Sequence, residues 1–363
     1  MRSVRFQTSI LALLVTPFAG VASPKAEPSV NVPAPIAARR ANVPLPVQKP
    51  RLSAAQVAAI KKQQKHQKAK EPLAKVLFGG KKAAAALPPR AVGWYSKGCL
   101  AGGQHMADRG DAWQTMRPSR NRSWGHPKLI ALVQRLASEA QEKDDWPGLL
   151  IGDISQPRGG PMLTGHASHQ VGLDADIWLT PMPKRVLSYR ERDNISAVSM
   201  LDKTGVAVDP KVFTPEHVAL IKRAASYPDV ERIFVHPAIK KALCNAAGTD
   251  RGWLGKVRPL WGHHYHFHVR IGCPNGGCRH QNPVTGEDGC GKEVDEWLKR
   301  VAKVKPEPPP EPAGKKPIVP SERRRVTMAE LPAECRAVLD APPVRLVKED
   351  QPKPKPEQTT AKK

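Results

Sequence analysis

The chain of 363 residues predicts an α+β domain built on a central antiparallel sheet flanked by helices, with flexible Pro-rich arms outside it. Three observations predict this. Two well-separated segments, Asp174–Leu179 and His264–Ile271, alternate in the period-two manner of strands. Three others, 127–142, 215–226 and 237–247, repeat their apolar residues at helical spacing. Chemistry-bearing side chains concentrate on the strand pair, so helices and a strand-borne site belong to one α+β unit.

Taken in order, residues 1–23 read as a secretory signal peptide. Arg2 and Arg5 form the basic start, Ile10–Val15 begin an apolar run broken by Pro17, and Gly20-Val-Ala22 or Val21-Ala-Ser23 supplies the small-residue cleavage site. The run is shorter than the ~20 apolar residues a membrane span needs. Residues 24–90 are rich in Pro, Ala, Lys and Gln and read as linker, with a short helix expected from Ser53 to Lys70. Folding is expected from Ala91 to 300. Pro127 opens a helix whose Leu129, Ile130, Leu132, Val133 and Leu136 share a face, and Leu149–Ile154 is a strand. The Gly/Pro-rich stretch Gln156–Gly165 is a loop, and Pro181–Val208 is a charged insertion over the site. Pro215–Ser226 is a helix with His217 exposed in its first turn, and Arg232–Val235 is a strand followed by His236 at the surface or in packing. Pro237–Ala247 is a helix. Residues 301–330 form a second Pro-rich linker, 331–342 a short segment around Cys335 that returns to the domain, and 343–363 a disordered tail.

The stretch Gly165–Trp178 holds His166, His169 and Asp176, and Gly262–Val269 holds four of the chain's 12 histidines. On the second strand His264, His266 and His268 share one face and Tyr265, Phe267 and Val269 the other. With His169 on the loop before the first strand, His169, Asp176 and His268 can reach one point. Imidazole and carboxylate from separated segments are what zinc takes, and three protein ligands leave a fourth position for water, the mark of a catalytic site. Arg270 shares the His266 face and reads as either a carboxylate clamp or, preferably, an exposed charge. Gly159-Gly160 lacks the following residues of a phosphate loop. No Gly-x-Ser-x-Gly or Ser-x-x-Lys motif supports a serine nucleophile.

Charge narrows the classes further. The net charge is +25, but residues 24–90 hold fourteen Lys and Arg against two Glu, so much of the excess lies outside the folded region. That argues against nucleic-acid binding, which clusters charge and aromatics on a domain face. The basic arm is either a solvated tether or an electrostatic contact with anionic envelope polymers or a membrane surface. Six cysteines behind a signal peptide favour disulfides, in any of 15 pairings. The absence of a Cys-x-x-Cys pair disfavours a zinc knuckle, and no cysteine has the basic partner of a nucleophile.

At these residues the chain resembles the penicillin-insensitive murein endopeptidases, relatives of the lysostaphin and D-Ala-D-Ala metallopeptidase group that also includes the hedgehog domain. The resemblance runs through Trp124-Gly-His-Pro127, Ile151-Gly-Asp153, Gly165-His-Ala-Ser-His-Gln-Val-Gly-Leu-Asp-Ala-Asp-Ile177, Arg232-Ile-Phe-Val235 and His236-Pro-Ala-Ile239. It continues through Gly248-Thr-Asp-Arg251, Lys256-Val-Arg-Pro259 and His266-Phe-His-Val-Arg270, covering about 95–300 and Cys335. It implies zinc on His169, Asp176 and His268, with His263 and His266 beside the metal. Many relatives in the wider group use a glutamate as base. Here Glu287 is the only Glu between Gly252 and Gly289, so a histidine is expected to do that work. Some members hold a second metal with His166, a later Asp and a later His. Asp202 matches the Asp, but Lys203–Val208 contains no His, so one zinc is expected, with His166 the remaining candidate ligand or a neighbour of the site.

The resemblance also implies the disulfides Cys99–Cys335, Cys244–Cys290 and Cys273–Cys278, and peptidoglycan as substrate, cut at D-alanyl–meso-diaminopimelate cross-links; the signal peptide implies export to the periplasm. Three alternatives stand beside this: a D-Ala-D-Ala metallopeptidase, a zinc-bearing peptidoglycan-binding protein without turnover, and a basic envelope-binding protein whose histidines are incidental.

Overall fold

A computed structural model describes residues 53–59, 62, 72–274, 276–284, 287–304 and 325–344. The expected signal peptide, most of the 24–71 arm, most of the 301–330 linker and the tail beyond 344 lie outside the described residues. Residues 54–59 are helical. Ser53 Oγ accepts the Gln56 amide at 3.2 Å while Gln56 Oε1 accepts the Ser53 amide at 2.8 Å, a reciprocal cap at the start of the helix expected from Ser53. Among the described residues no helix is long and apolar enough to cross a membrane.

Beyond residues 54–59, the α-helices among the described residues are α1 (Ala74–Gly79), α2 (Pro127–Lys143), α3 (Tyr189–Asn194), α4 (Pro215–Ser226), α5 (Pro237–Ala246), α6 (Lys292–Val301) and α7 (Glu334–Asp340). α2 and α5 begin alike. In each a histidine precedes Pro at the first helical position, and its Nδ1 accepts the amide two residues on: His126 from Lys128 at 3.3 Å, His236 from Ala238 at 3.2 Å. His236 is therefore a buried cap. His217, expected at the surface, is also buried. Its Nδ1 accepts the Thr214 amide at 3.1 Å, which leaves Nε2–H to donate to Leu179 O at 2.9 Å, and its ring packs edge-on to Trp146. A first-turn position looked exposed, but this turn faces the core.

Two small antiparallel pairs, β1 (Arg90–Trp94) with β2 (Lys97–Ala101) and β3 (Gln104–His105) with β6 (Trp124–Gly125), accompany a seven-stranded sheet. That sheet comprises β4 (Arg109–Gly110), β5 (Trp113–Thr115), β7 (Leu149–Ile151), β8 (Asp174–Trp178), β9 (Val230–Val235), β10 (Val257–Pro259) and β11 (His266–Ile271), in the order β10-β9-β11-β8-β7-β5-β4. The inner pairs β9–β11, β11–β8 and β8–β7 are antiparallel, while β10–β9 and β5–β7 are parallel. Strand β11 begins at His266, two residues later than expected.

Register sets the site. His268 lies opposite Asp176, His266 opposite Trp178 and Arg270 opposite Asp174. Cross-strand partners share a face. One face thus carries Asp174, Asp176, His266, His268 and Arg270. The alternate residues Ala175, Ile177, Phe267, Val269 and Ile271 enter the main apolar core with the buried side of α2 and with Leu220 and Ile221 of α4.

A second apolar cluster joins Ala74, Phe78, Val92, Cys99, Met328, Leu331, Cys335, Val338 and Leu339. Residues 72–90, whose composition reads as linker, thus include an ordered helix. Its apolar partners are some 250 residues away in sequence, so local composition does not reveal them. The Arg158 guanidinium caps α7 by donating to Val338 O, Leu339 O and Ala341 O at 2.9, 2.8 and 2.7 Å. All three disulfide pairings implied by the resemblance are formed.

The Cys99–Cys335 bond spans 236 residues and ties α7 to β2. Replacing both cysteines with Ala is expected to lower unfolding stability by roughly 2–5 kcal/mol, read by denaturant titration. An unchanged midpoint would mean that the second cluster holds α7 without the bond.

Candidate metal centre

His169 sits in the left-handed region (φ 65), which only a surrounding network sustains in a non-glycine residue. Its amide donates to Asp174 Oδ2 at 2.9 Å, its carbonyl accepts from Ser155 Oγ at 2.5 Å, and its Nδ1 lies 2.6 Å from Ile154 O. A carbonyl only accepts, so Nδ1 carries the proton and Nε2 presents a lone pair. Across the sheet, His268 Nε2 lies 2.9 Å from Asp174 Oδ1. Burial alone would raise the Asp174 pKa, but Arg270 and His268 outweigh it and hold the carboxyl ionised. His268 Nε2 is therefore the donor, and its Nδ1 presents a lone pair.

These two lone pairs meet Asp176. His169 Nε2 is 3.1 Å from His268 Nδ1, and Asp176 Oδ1 is 3.3 Å from each. The Asp176 carboxyl is held well below the usual carboxylate range, because His169, His266 and His166 outweigh the opposing effect of burial. Its Oδ1 is buried without a hydrogen-bond partner. Three acceptors thus converge with their protons committed elsewhere, an arrangement that asks for a cation. Tetrahedral coordination with bonds of about 2.0–2.1 Å places ligand atoms about 3.3 Å apart, and two imidazoles with a carboxylate form a donor set that zinc takes. The same field acts on a proton: burial lowers the His169 pKa, Asp176 more than offsets this, and the net shift is upward.

His166 approaches from the loop. Its Nε2 is 3.0 Å from Asp153 Oδ2 and its Nδ1 is 3.5 Å from Asp176 Oδ2. His166, His169 and Asp176 each offer a ligand atom within 4.8 Å of the others. Asp153 is anchored by Arg122 at 2.8 Å and Arg120 at 3.2 Å. Against burial, Arg122 and His166 hold its carboxyl ionised. Arg270, expected as an exposed charge, is buried. It donates from Nε to Asp174 Oδ1 at 2.7 Å and lies 4.0 Å above the Tyr95 ring. The chain Arg270–Asp174–His268 fixes the tautomer and orientation of a candidate ligand.

His263 and His266 stand alongside, ring centroids 4.8 Å apart. His263 Nδ1 lies 2.8 Å from Trp261 O, so it carries the proton and Nε2 is free to accept one. Burial, with His266 and His268 nearby, pushes the His263 pKa well down. Burial likewise pushes His266 down to about 4. Its Nε2 is 3.6 Å from Asp176 Oδ1 and its buried Nδ1 has no partner. Both are neutral at pH 7 and competent to accept a proton.

The structure thus places His169, Asp176 and His268 together, with His166, His263 and His266 around them. His264 precedes the strand and turns to Ser199 Oγ at 2.9 Å. Asp202 closes its own turn, accepting from the Thr204 and Gly205 amides at 3.0 and 3.1 Å, and makes no hydrogen bond to His166. The insertion 181–208 packs Met182, Leu187 and Ala197 against Trp178, with Tyr265 alongside. Sequence reasoning gave no role to Asp174, Asp153, Arg120 and Arg122. For Asp174 the signal was present, since Asp174-Ala-Asp176 puts both carboxylates on one strand face.

A family model described as penicillin-insensitive murein endopeptidase matches residues 91–340. Relatives from several bacteria carry that same description. The one from Haemophilus influenzae is 42% identical over 257 residues, covering 69% of this chain and 82% of the relative. Those from Pectobacterium atrosepticum and Yersinia enterocolitica are 39% and 40% identical, covering 69% of this chain and 84% and 86% of theirs.

Asp174→Asn removes a hydrogen-bonding charge without changing shape. It is expected to weaken divalent-metal affinity about 10- to 100-fold, measured by competition with a chromophoric chelator. Unchanged affinity would show that His268 is oriented without Asp174.

Proposed function

This chain belongs to the penicillin-insensitive murein endopeptidase family, and from that premise we propose that it is a zinc-dependent endopeptidase hydrolysing D-alanyl–meso-diaminopimelate cross-links of peptidoglycan. Peptidase action on peptidoglycan rests on the relatives' shared description. The observation that carries the zinc chemistry is the meeting of His169 Nε2, Asp176 Oδ1 and His268 Nδ1. One zinc per chain would be held there, and when bound it supplies Lewis acidity toward an oxygen ligand.

The chain's own residues do the rest. Asp174 and Arg270 keep His268 in the ligating tautomer, and Ile154 O does the same for His169. His263 takes the proton of the attacking water at Nε2 and returns it to the leaving amine. Its tautomer suits that task, because Trp261 O holds Nδ1–H. His266, neutral and buried on the ligand strand, stands at the developing oxyanion. Export by residues 1–23 to the periplasm is part of the proposal, and three disulfides support an oxidising compartment.

Purified cross-linked muropeptide dimers, with products resolved by chromatography and mass, test the reading. Conversion to monomers that stops with a chelator and resumes with zinc is expected. Survival of dimers with zinc-loaded protein would contradict it and favour a binding role. His263→Ala is expected to keep zinc and lose about 10²–10⁴-fold in kcat; undiminished turnover would assign the base elsewhere. The base works in its neutral form, and burial lowers the pKa of both candidates. The kcat/KM profile should therefore stay level as pH falls through 6.5 and decline only below it. An acid limb centred above 6.5 with zinc content unchanged would exclude both.

A further inference from the structure

One wall of the cleft has no role in the chemistry above. The residues lining the cleft include Arg117, Arg120, Asp153, His166, Asp176 and His266. Both arginines come from one short segment held in an unusual backbone conformation. Arg117 (φ 60) and Asn121 (φ 52) are left-handed, non-glycine residues bracketing the 3-10 turn Pro118–Arg120. Such residues persist where surrounding contacts over-determine them, and they cluster at working sites. The contacts are present. The Arg117 amide donates to Arg192 O at 3.1 Å, the Ser119 amide to Asp193 Oδ1 at 3.0 Å, and Trp124 Nε1 to Asn121 Oδ1 at 2.8 Å.

The charge on this wall is only partly balanced locally. Arg117 is 3% exposed, lies 5.1 Å over the Trp178 ring and donates from Nη1 to Asp193 O at 2.8 Å, while its buried Nη2 has no acceptor. Arg120 is the accessible member: its side chain is 31% exposed, with Nη1 3.2 Å from Asp153 Oδ2. Asp153 is shared among Arg120, Arg122 and His166, and Asp176 is turned to the ligand triangle. The wall therefore presents the Arg120 guanidinium, whose carboxylate partner is shared with Arg122 and His166, beside the atoms where hydrolysis is proposed; Asp193, on the Ser119 amide, is the acidic neighbour of Arg117.

The proposed substrate supplies an anion at that place. In a D-alanyl–meso-diaminopimelate link, the carbon attached to the scissile nitrogen also bears a free carboxylate. That carboxylate stays within a few bonds of the reacting carbonyl. We infer that Arg120, backed by the buried charge of Arg117, receives the carboxylate on the leaving-amine carbon and makes it a specificity determinant. The inference rests on the endopeptidase reading. A guanidinium suits the task because its fork matches a carboxylate in two parallel hydrogen bonds.

The test uses the zinc-loaded full chain and two probes. These are the monomeric disaccharide tetrapeptide muropeptide, whose meso-diaminopimelate keeps the carboxylate beside its free amine, and the same monomer with that carboxylate converted to a carboxamide. Equilibrium binding of both is measured by calorimetry for the unmodified protein, Arg120→Gln and Arg120→Lys. Zinc content is checked in each, and cleavage of the corresponding dimers is followed in parallel. The unmodified protein is expected to prefer the free acid about 10- to 100-fold, the range of a charged hydrogen bond. Arg120→Gln should bring that ratio close to one, and Arg120→Lys should keep part of it. A ratio near one in the unmodified protein overturns the inference. So does an Arg120→Gln variant that binds both probes more weakly with the ratio intact, the signature of a merely structural role through Asp153 and His166. If the ratio behaves as expected but no dimer is cleaved, the carboxylate receptor stands and the endopeptidase reading fails.

Discussion

Three lone pairs aimed at one buried point are the constraint on which the site depends. Asp176 Oδ1, His169 Nε2 and His268 Nδ1 lie 3.1–3.3 Å apart; Asp176 Oδ1 is buried without a hydrogen-bond partner, and each histidine has its other nitrogen engaged by a neighbour. Ile154 O takes the other nitrogen of His169, Asp174 takes that of His268, and Arg270 keeps Asp174 ionised. Without a cation the arrangement is costly, since a buried acceptor without a donor loses its hydration for nothing in return. With one, the same protons become the devices that orient the ligands.

The sheet makes this affordable by separating its faces. Strands β8 and β11 bury both sides, but period two sends Ala175, Ile177, Phe267, Val269 and Ile271 to an apolar core. The carboxylates and imidazoles go to the other side, where irregular chain covers them. Tyr95 stacks on Arg270 and donates to Ile271 O at 2.9 Å, the Arg117–Asn121 turn supplies a positive wall, and the 181–208 insertion packs on Trp178. The second apolar cluster and the Cys99–Cys335 bond act one layer further out, fastening α7 against the β1–β2 hairpin.

What was legible in the sequence followed from period and punctuation. Proline after His126, Thr214 and His236 placed three helix starts correctly, and alternation in Asp174-Ala-Asp176 and His266-Phe-His268 placed two facing strands. The cysteine pairing came through family resemblance, because spacing alone leaves 15 choices. What was hidden depended on register and distant partners. Arg270 looked like a surface charge because charges seldom lie buried unpaired; its partner Asp174 faces it only once β11 is aligned on β8. The helix Ala74–Gly79 lay in linker-like composition, and its apolar partners come from residues 326–341. The left-handed backbone at His169 has no sequence signature at all.

The most direct test of the account is the metal stoichiometry of the full chain by native mass spectrometry, for the unmodified protein and for His169→Ala, Asp176→Ala and His268→Ala. One tightly held zinc per chain, lost in each of the three variants while the fold is retained, is the predicted result. A metal-free unmodified protein that still cleaves muropeptide dimers, or zinc that survives removal of His169, Asp176 or His268, would contradict the convergence of those three atoms as the centre of the site.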